Sequence, residues 1–299
     1  MINNAAIRGL PSCTFAKYPL LLPAKYRLSM NRWLFIYLLC AALPQAVFGN
    51  IDLRPLTFPV GTAVGAALLA VLFVLEREQG NSRWMRAFRS PRMACRLLAL
   101  LTVGCLIGGC LPAGKSVSTS WPFVALLLAL LAHLYLLLLH RLFRFAWKRD
   151  LTFLFVHGGL WLALLSGTLG AADTQELHIL APLATPTRMA ADAYGRMTPL
   201  PHELELQDFA VETHPADGSP VQYSASLLLD KEPVTLRVNH PYSLGWDKDL
   251  YLMSFGRQGE TADTTYCVLQ LVCQPWKYPL LAGLLLLLAG MAGLLARLK

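Results

Sequence analysis

Runs of apolar residues, each near the length of a bilayer's hydrocarbon core, dominate this chain and leave it few ways to fold. A helix needs about 20 apolar residues to cross, and in hydrocarbon only helices and closed barrels satisfy their own backbone. Six such runs are present: 33–49, 58–75, 97–112, 121–140, 151–170 and 278–296. The segment 171–277 differs in kind. It is polar, and short alternating stretches (ELELQDFAVE, VQYSASLLLD, PVTLRVNHP, LYLMSFG, TYCVLQLVC) are separated by turn-forming residues. The expected fold is an α-helical polytopic membrane protein of about six spans, with an extramembrane antiparallel β-rich domain of five or six strands between the last two spans. Residues 181–201, with four prolines and Gly195, read as irregular.

Charge sets the orientation. Segments 1–32, 76–96, 141–150 and 297–299 carry 17 of the 26 Lys/Arg. The short loops between the other span ends hold only Arg54 and Lys115. By the positive-inside rule both termini are cytoplasmic and 171–277 lies on the far side. The organisation is then a cytoplasmic segment 1–32, a five-span region 33–170, the β-rich domain 171–277, and a final span with its tail 278–299. The net charge of +8 belongs to the cytoplasmic loops, because 171–277 holds 14 of the 18 acidic residues. It argues for contact with anionic membrane lipid and against nucleic acid. Met30-Asn31-Arg32 before WLFIYLLCAALPQAVFG also reads as a start followed by a signal peptide cleaved after Gly49, in which case residues 1–29 are not translated.

The fifth run holds an ionisable residue, His157, in FLFVHGGLWL. Such a residue in hydrocarbon is costly and marks a candidate site. His133 lies in the fourth run, seven residues before His140. The short connection RLFRFAWKRD makes these spans antiparallel neighbours, with the two histidines at similar depth. Neutral imidazole is a haem-iron ligand, and an interhelical hydrogen bond is the plainer alternative. The residues alone favour the hydrogen bond for both. Gly158 and Gly159 leave room beside His157 for a helix or a flat cofactor. His178, His202, His214 and His240 are dispersed and form no close metal-binding pair. Seven cysteines include no CxxC or CxxCH, so neither a thioredoxin-type pair nor a covalent haem site is encoded. Cys267 and Cys273 are too far apart along one strand to bridge without a turn. No P-loop, HExxH, nucleophile elbow or Rossmann fingerprint is present.

Three blocks, in order, resemble the ResB/CcsB family of cytochrome c biogenesis proteins. They are RDLTFLFVHGGLWLALLSGTLGAAD (149–173), LELQDFAVE with GSPVQYSASLLL (204–229), and VTLRVNHPYSLGWDKDLYLMSFG with YCVLQLVCQPWKYPLLAGLLLLLAG (234–290). Gln274 stands where the family commonly has Asp before Pro-Trp. The resemblance implies a multi-pass protein of the bacterial inner membrane, an accessory subunit of a haem lyase complex. It implies haem b shared with a CcsA-type tryptophan-rich multispan partner, apocytochrome c as client, and a periplasmic thiol reductant as a further contact. His157 matches the family's candidate haem-iron ligand, with His133 as a secondary candidate. A membrane-anchored scaffold or binding module with no haem of its own is the competing reading.

Overall fold

The computed structural model describes residues 24–112, 116–256 and 265–297. Cys13, Lys115 and the alternative start concerning residues 1–29 fall wholly or largely outside them. The helices are α1 (Ala24–Phe48), α2 (Val60–Gln79), α3 (Arg83–Phe88), α4 (Pro91–Cys110), α5 (Trp121–Leu142), α6 (Trp147–Asp173) and α7 (Lys277–Ala296). Eight strands lie between α6 and α7: β1 (Gln175–Pro182), β2 (Thr187–Asp192), β3 (Met197–Thr213), β4 (Pro220–Leu229), β5 (Glu232–Arg237), β6 (Tyr242–Ser243), β7 (Lys248–Gly256) and β8 (Tyr266–Cys273).

Five helices are long and apolar enough to cross a bilayer: Val60–Gln79, Pro91–Cys110, Trp121–Leu142, Arg149–Asp173 and Lys277–Ala296. The sixth expected run falls on α1, whose apolar stretch Arg32–Phe48 is shorter and contains Pro44. α4 begins six residues before its apolar run. Ser90 accepts a hydrogen bond from the Met93 amide and Pro91 takes the first helical position, a strong start signal.

The chain divides into two compact units, with the boundary inside α5. One holds the chain up to Ile51 and Asn81–Leu130. Within it the Tyr37 hydroxyl donates to the Ala125 carbonyl at 2.8 Å, and the Gln45 side chain accepts from the Trp121 amide at 2.9 Å, capping α5.

The other unit holds Asp52–Gly80 and Leu131–Lys299. Its strands form one antiparallel sheet in the order β5-β4-β3-β2-β1-β8-β7-β6. An isolated bridge between Arg237 and His240 closes the turn that follows β5. Alternating residues fill the inside: Ile179 and Ala181 from β1, Leu204 and Leu206 from β3, Ala225 and Leu227 from β4, and Cys267, Leu269 and Leu271 from β8. Eight strands replace the expected five or six, the additions being β1, β2 and the two-residue β6, and 181–201 is not irregular. It holds β2 and the start of β3, with a register shift between Thr187 and Met189 that admits Pro199 into the pairing. Asp230 and Lys231, both at positive φ, make the tight turn that joins β4 to β5.

One pairing positions everything below. β1 and β8 run antiparallel from Gln175↔Cys273 to Pro182↔Tyr266. The end of α6 and the start of α7, about a hundred residues apart in sequence, therefore meet at the same rim of the sheet. The two helices then pack along their length through small residues. A Cβ at Gly159 would lie 2.5 Å from the Leu287 nitrogen, and one at Gly283 2.6 Å from the Ala163 nitrogen. Only glycine allows backbones this close.

Candidate functional site

The rim junction is held by one carboxylate. Asp173 closes α6, and its Oδ2 accepts the Trp276 indole N–H at 2.6 Å, while its Oδ1 accepts the Phe58 amide at 2.7 Å. Trp276 caps α7, and its Cβ lies 3.3 Å from where a Gly170 Cβ would stand. Beside it, the Lys277 ammonium donates to Asp249, which also accepts from the Ser243 hydroxyl. The closing glycine, the Asp beyond the span and the Pro-Trp pair are thus parts of one latch.

His157 lies half-buried on α6, ten residues into the helix. Its Nδ1 lies 3.1 Å from the Phe153 carbonyl oxygen. A carbonyl can only accept, so Nδ1 carries the proton and Nε2 is left with its lone pair. The ring stacks on Phe153, with centroids 4.0 Å apart and planes 21° apart. The Arg141 guanidinium carbon lies 5.0 Å from the centroid of the same Phe153 ring.

Below this stack, Asp150 is fully buried. It accepts from the Ala146 amide at 3.0 Å and from Arg149 at 2.8 and 2.9 Å, and it pairs with Arg141 at 3.2 Å. It ties the last turn of α5 to the first turn of α6. The expected antiparallel hairpin is present, and Asp150 is what holds it. The sequence carried a signal: Asp150 is the only acidic residue between Glu78 and Asp173, set in a basic connection. Glu76 is a second buried acid that the pattern did not single out. It pairs with His140 Nδ1 at 3.0 Å, so His140 is engaged by α2.

The structure corrects one expectation around the histidines. His133 is buried, 2% exposed. It is not level with His157. Tyr135 stacks on Trp161 at 5.5 Å, and Leu138 reaches within 3.9 Å of a Cβ at Gly158. That register sets His133 opposite Ala163, about 9 Å along the axis from His157 at 1.5 Å per residue. The glycines meet the expected close approach of a helix. The space at Gly159 is filled by α7, and only the Gly158 side stands at ordinary contact distance from its neighbour.

A haem-binding histidine usually donates its second ring N–H to a carbonyl or carboxylate, which fixes tautomer and orientation. His157 has the first of these, a carbonyl at Nδ1, and would be suited to hold a haem iron through Nε2. Among the described residues no three of His, Cys, Asp or Glu are grouped to hold a metal ion. His178 lies on β1, paired with Gln270 and Ala191. His202 pairs with Asp230 at 2.6 Å, and His214 lies 3.6 Å from Asp217.

Residues 147–279 match the ResB-like family. This part of the chain is similar to that family. The ResB-like segment is a little under half of the 299 residues and runs from the first residue of α6 to the first turn of α7. It contains Asp150, Phe153, His157, Asp173 and Trp276, whereas Glu76, His133 and Arg141 lie outside it. No curated protein matches the chain. Among solved structures, the chain is similar to the cytochrome c haem lyase CcmF, with a TM-score of 0.35 and 19% identity over 77% of this chain and 38% of that one. The chain thus spans under two fifths of that protein's length.

Proposed function

We propose that this multi-pass membrane protein acts in cytochrome c maturation, as the ResB-type subunit that handles haem for attachment to the CxxCH motif of apocytochrome c. A CcsA-type tryptophan-rich membrane protein is its partner, in the bacterial inner membrane, with both termini cytoplasmic and 171–277 outside. Haem b, shared with that partner, is the cargo.

The observation that carries this reading is the state of His157 within the ResB-like segment. One ring nitrogen is held by the Phe153 carbonyl, and the other is the free base that iron requires. Because His133 is offset along the helix axes, this chain would offer His157 alone to the iron, and any second ligand would be the partner's to supply. Its own residues hold the imidazole in place, anchor α6 against α7 through Gly159 and Gly283, and set the β-domain at the membrane surface through Asp173 and Trp276. Iron ligation is the one chemical contribution that haem adds here.

The test is co-expression with the partner, purification, and visible spectra. His157→Ala is expected to keep its abundance and lose bound haem or alter the reduced bands, with added imidazole restoring them in part. His133→Ala is expected to be milder. Wild-type haem and full cytochrome c maturation in His157→Ala would leave the membrane scaffold as the better reading.

A further inference from the structure

A series of contacts starts at the α5–α6 turn and ends on His157. A buried carboxylate is tolerated only when its partners are complete, and Asp150 has them in the Ala146 amide, Arg149 and Arg141. Holding Asp150 fixes Arg141 across the turn. Arg141 in turn stands over the Phe153 ring, where a guanidinium is attracted by the π face. Phe153 lies one helical turn before His157, and it makes two contacts with it at once. Its ring is the stacking plane for the imidazole, and its carbonyl is the acceptor for Nδ1.

We infer that Phe153 and Arg141 are positioning residues for His157, fixing its ring plane and tautomer so that Nε2 is the lone-pair atom presented away from the α6 backbone. The role in haem handling rests on His157 being the ligand proposed above. The state of the ring does not, because every contact named lies within this chain. A histidine on an open helix face rotates among its staggered rotamers and exchanges its proton between the two nitrogens. Here a flat neighbour restricts the ring, and a carbonyl selects the protonated nitrogen. Arg141 lies outside the ResB-like segment, so this contact is a feature that the family match does not cover.

The experiment uses the full chain in detergent with ring-15N histidine and no added haem. The 15N shifts report which nitrogen of each imidazole carries the proton, and the His157 signal is the one lost in His157→Gln. Wild type is expected to show the Nδ1–H form of His157. Phe153→Leu and Arg141→Gln are expected to move it to averaged tautomers, whereas Phe153→Tyr, which keeps the ring, holds it. A wild-type His157 in the Nε2–H form overturns the inference with no variant needed, and so do unchanged shifts in both Phe153→Leu and Arg141→Gln. In the complex with the partner, Phe153→Leu is expected to retain haem with shifted or broadened reduced bands, where His157→Ala loses it. Wild-type bands in Phe153→Leu count against the positioning role. If His157→Ala keeps its haem while the labelled chain shows the fixed tautomer, the ligand reading fails and the ring's positioning stands.

Discussion

Gly158 and Gly159 are adjacent, yet alanine is expected to act oppositely at the two. At Gly159 the new methyl would lie 2.5 Å from the Leu287 nitrogen and 2.6 Å from the Gly283 oxygen, both backbone atoms, against an ordinary contact of 3.4–4 Å. α7 must retreat by about 1 Å. Overpacking of this kind costs roughly 1–3 kcal/mol. The upper end applies, because a retreating α7 also loosens the close approaches at Gly283 and Gly290, where an added Cβ would lie 2.7 Å from the Val156 nitrogen. At Gly158 the methyl would meet only Leu138 Cδ2 at 3.9 Å, so there is room. There the replacement gains helix propensity, roughly 0.5–1 kcal/mol. The two variants should differ by about 3.5–4 kcal/mol, a factor of roughly 400 or more in the folding equilibrium. Thermal denaturation in detergent, read as the gel-filtration peak surviving each temperature, ranks Gly158→Ala at or above wild type and Gly159→Ala well below. A Gly159→Ala variant as stable as Gly158→Ala would refute the close α6–α7 packing.

The latch gives a second expectation. Trp276→Phe keeps a ring but loses the 2.6 Å bond to Asp173, a charge-assisted hydrogen bond worth about 1.5–3 kcal/mol. Abundance and thermal stability should fall while the haem spectrum of the complex holds; normal abundance with a shifted spectrum is the contrary result. At the β4–β5 turn, the Glu203 amide first and His202 second hold the Asp230 carboxyl below the usual carboxylate range. A pKa depressed in the folded state contributes stability above the unfolded pKa, and that is lost as pH falls through the folded value, below about pH 4. Hydrogen exchange in this hairpin should therefore quicken in acid in wild type, and Asp230→Asn should remove that dependence; identical acid profiles refute the linkage. Burial pushes the Cys267 thiol up to about 11, so at neutral pH maleimide should label Cys273 and spare Cys267 until the protein is denatured. Equal labelling of both in the folded chain would contradict the inward-facing β8 residue. For orientation, alkaline phosphatase fused after Asp230 should be active, and activity from a fusion within 84–92 would overturn the topology.

The membrane-length helices were legible because hydropathy is a local property that needs no partner. So were most strands, through alternation within five to ten residues, and so was His157, an ionisable residue where none is cheap. Part of its surroundings was local too, since the Phe153 carbonyl is one turn away. The misreadings share a cause. Residues 181–201 looked irregular because prolines argue against strands locally, whereas β2 and β3 are stabilised by neighbours across the sheet. His133 and His157 seemed level because counting from span ends ignores how far each helix extends past its apolar run.

What the sequence determined by itself, then, is which segments enter the membrane, which segment stays out, and which side chain in hydrocarbon calls for a role. What only the tertiary structure decided is who meets whom. β1 pairs with β8, so Asp173 meets Trp276 across 103 residues and Gly159 meets α7 instead of an open space. Those contacts belong to the β1–β8 pairing and the helix packing it imposes, and no window of sequence shorter than the whole domain contains them.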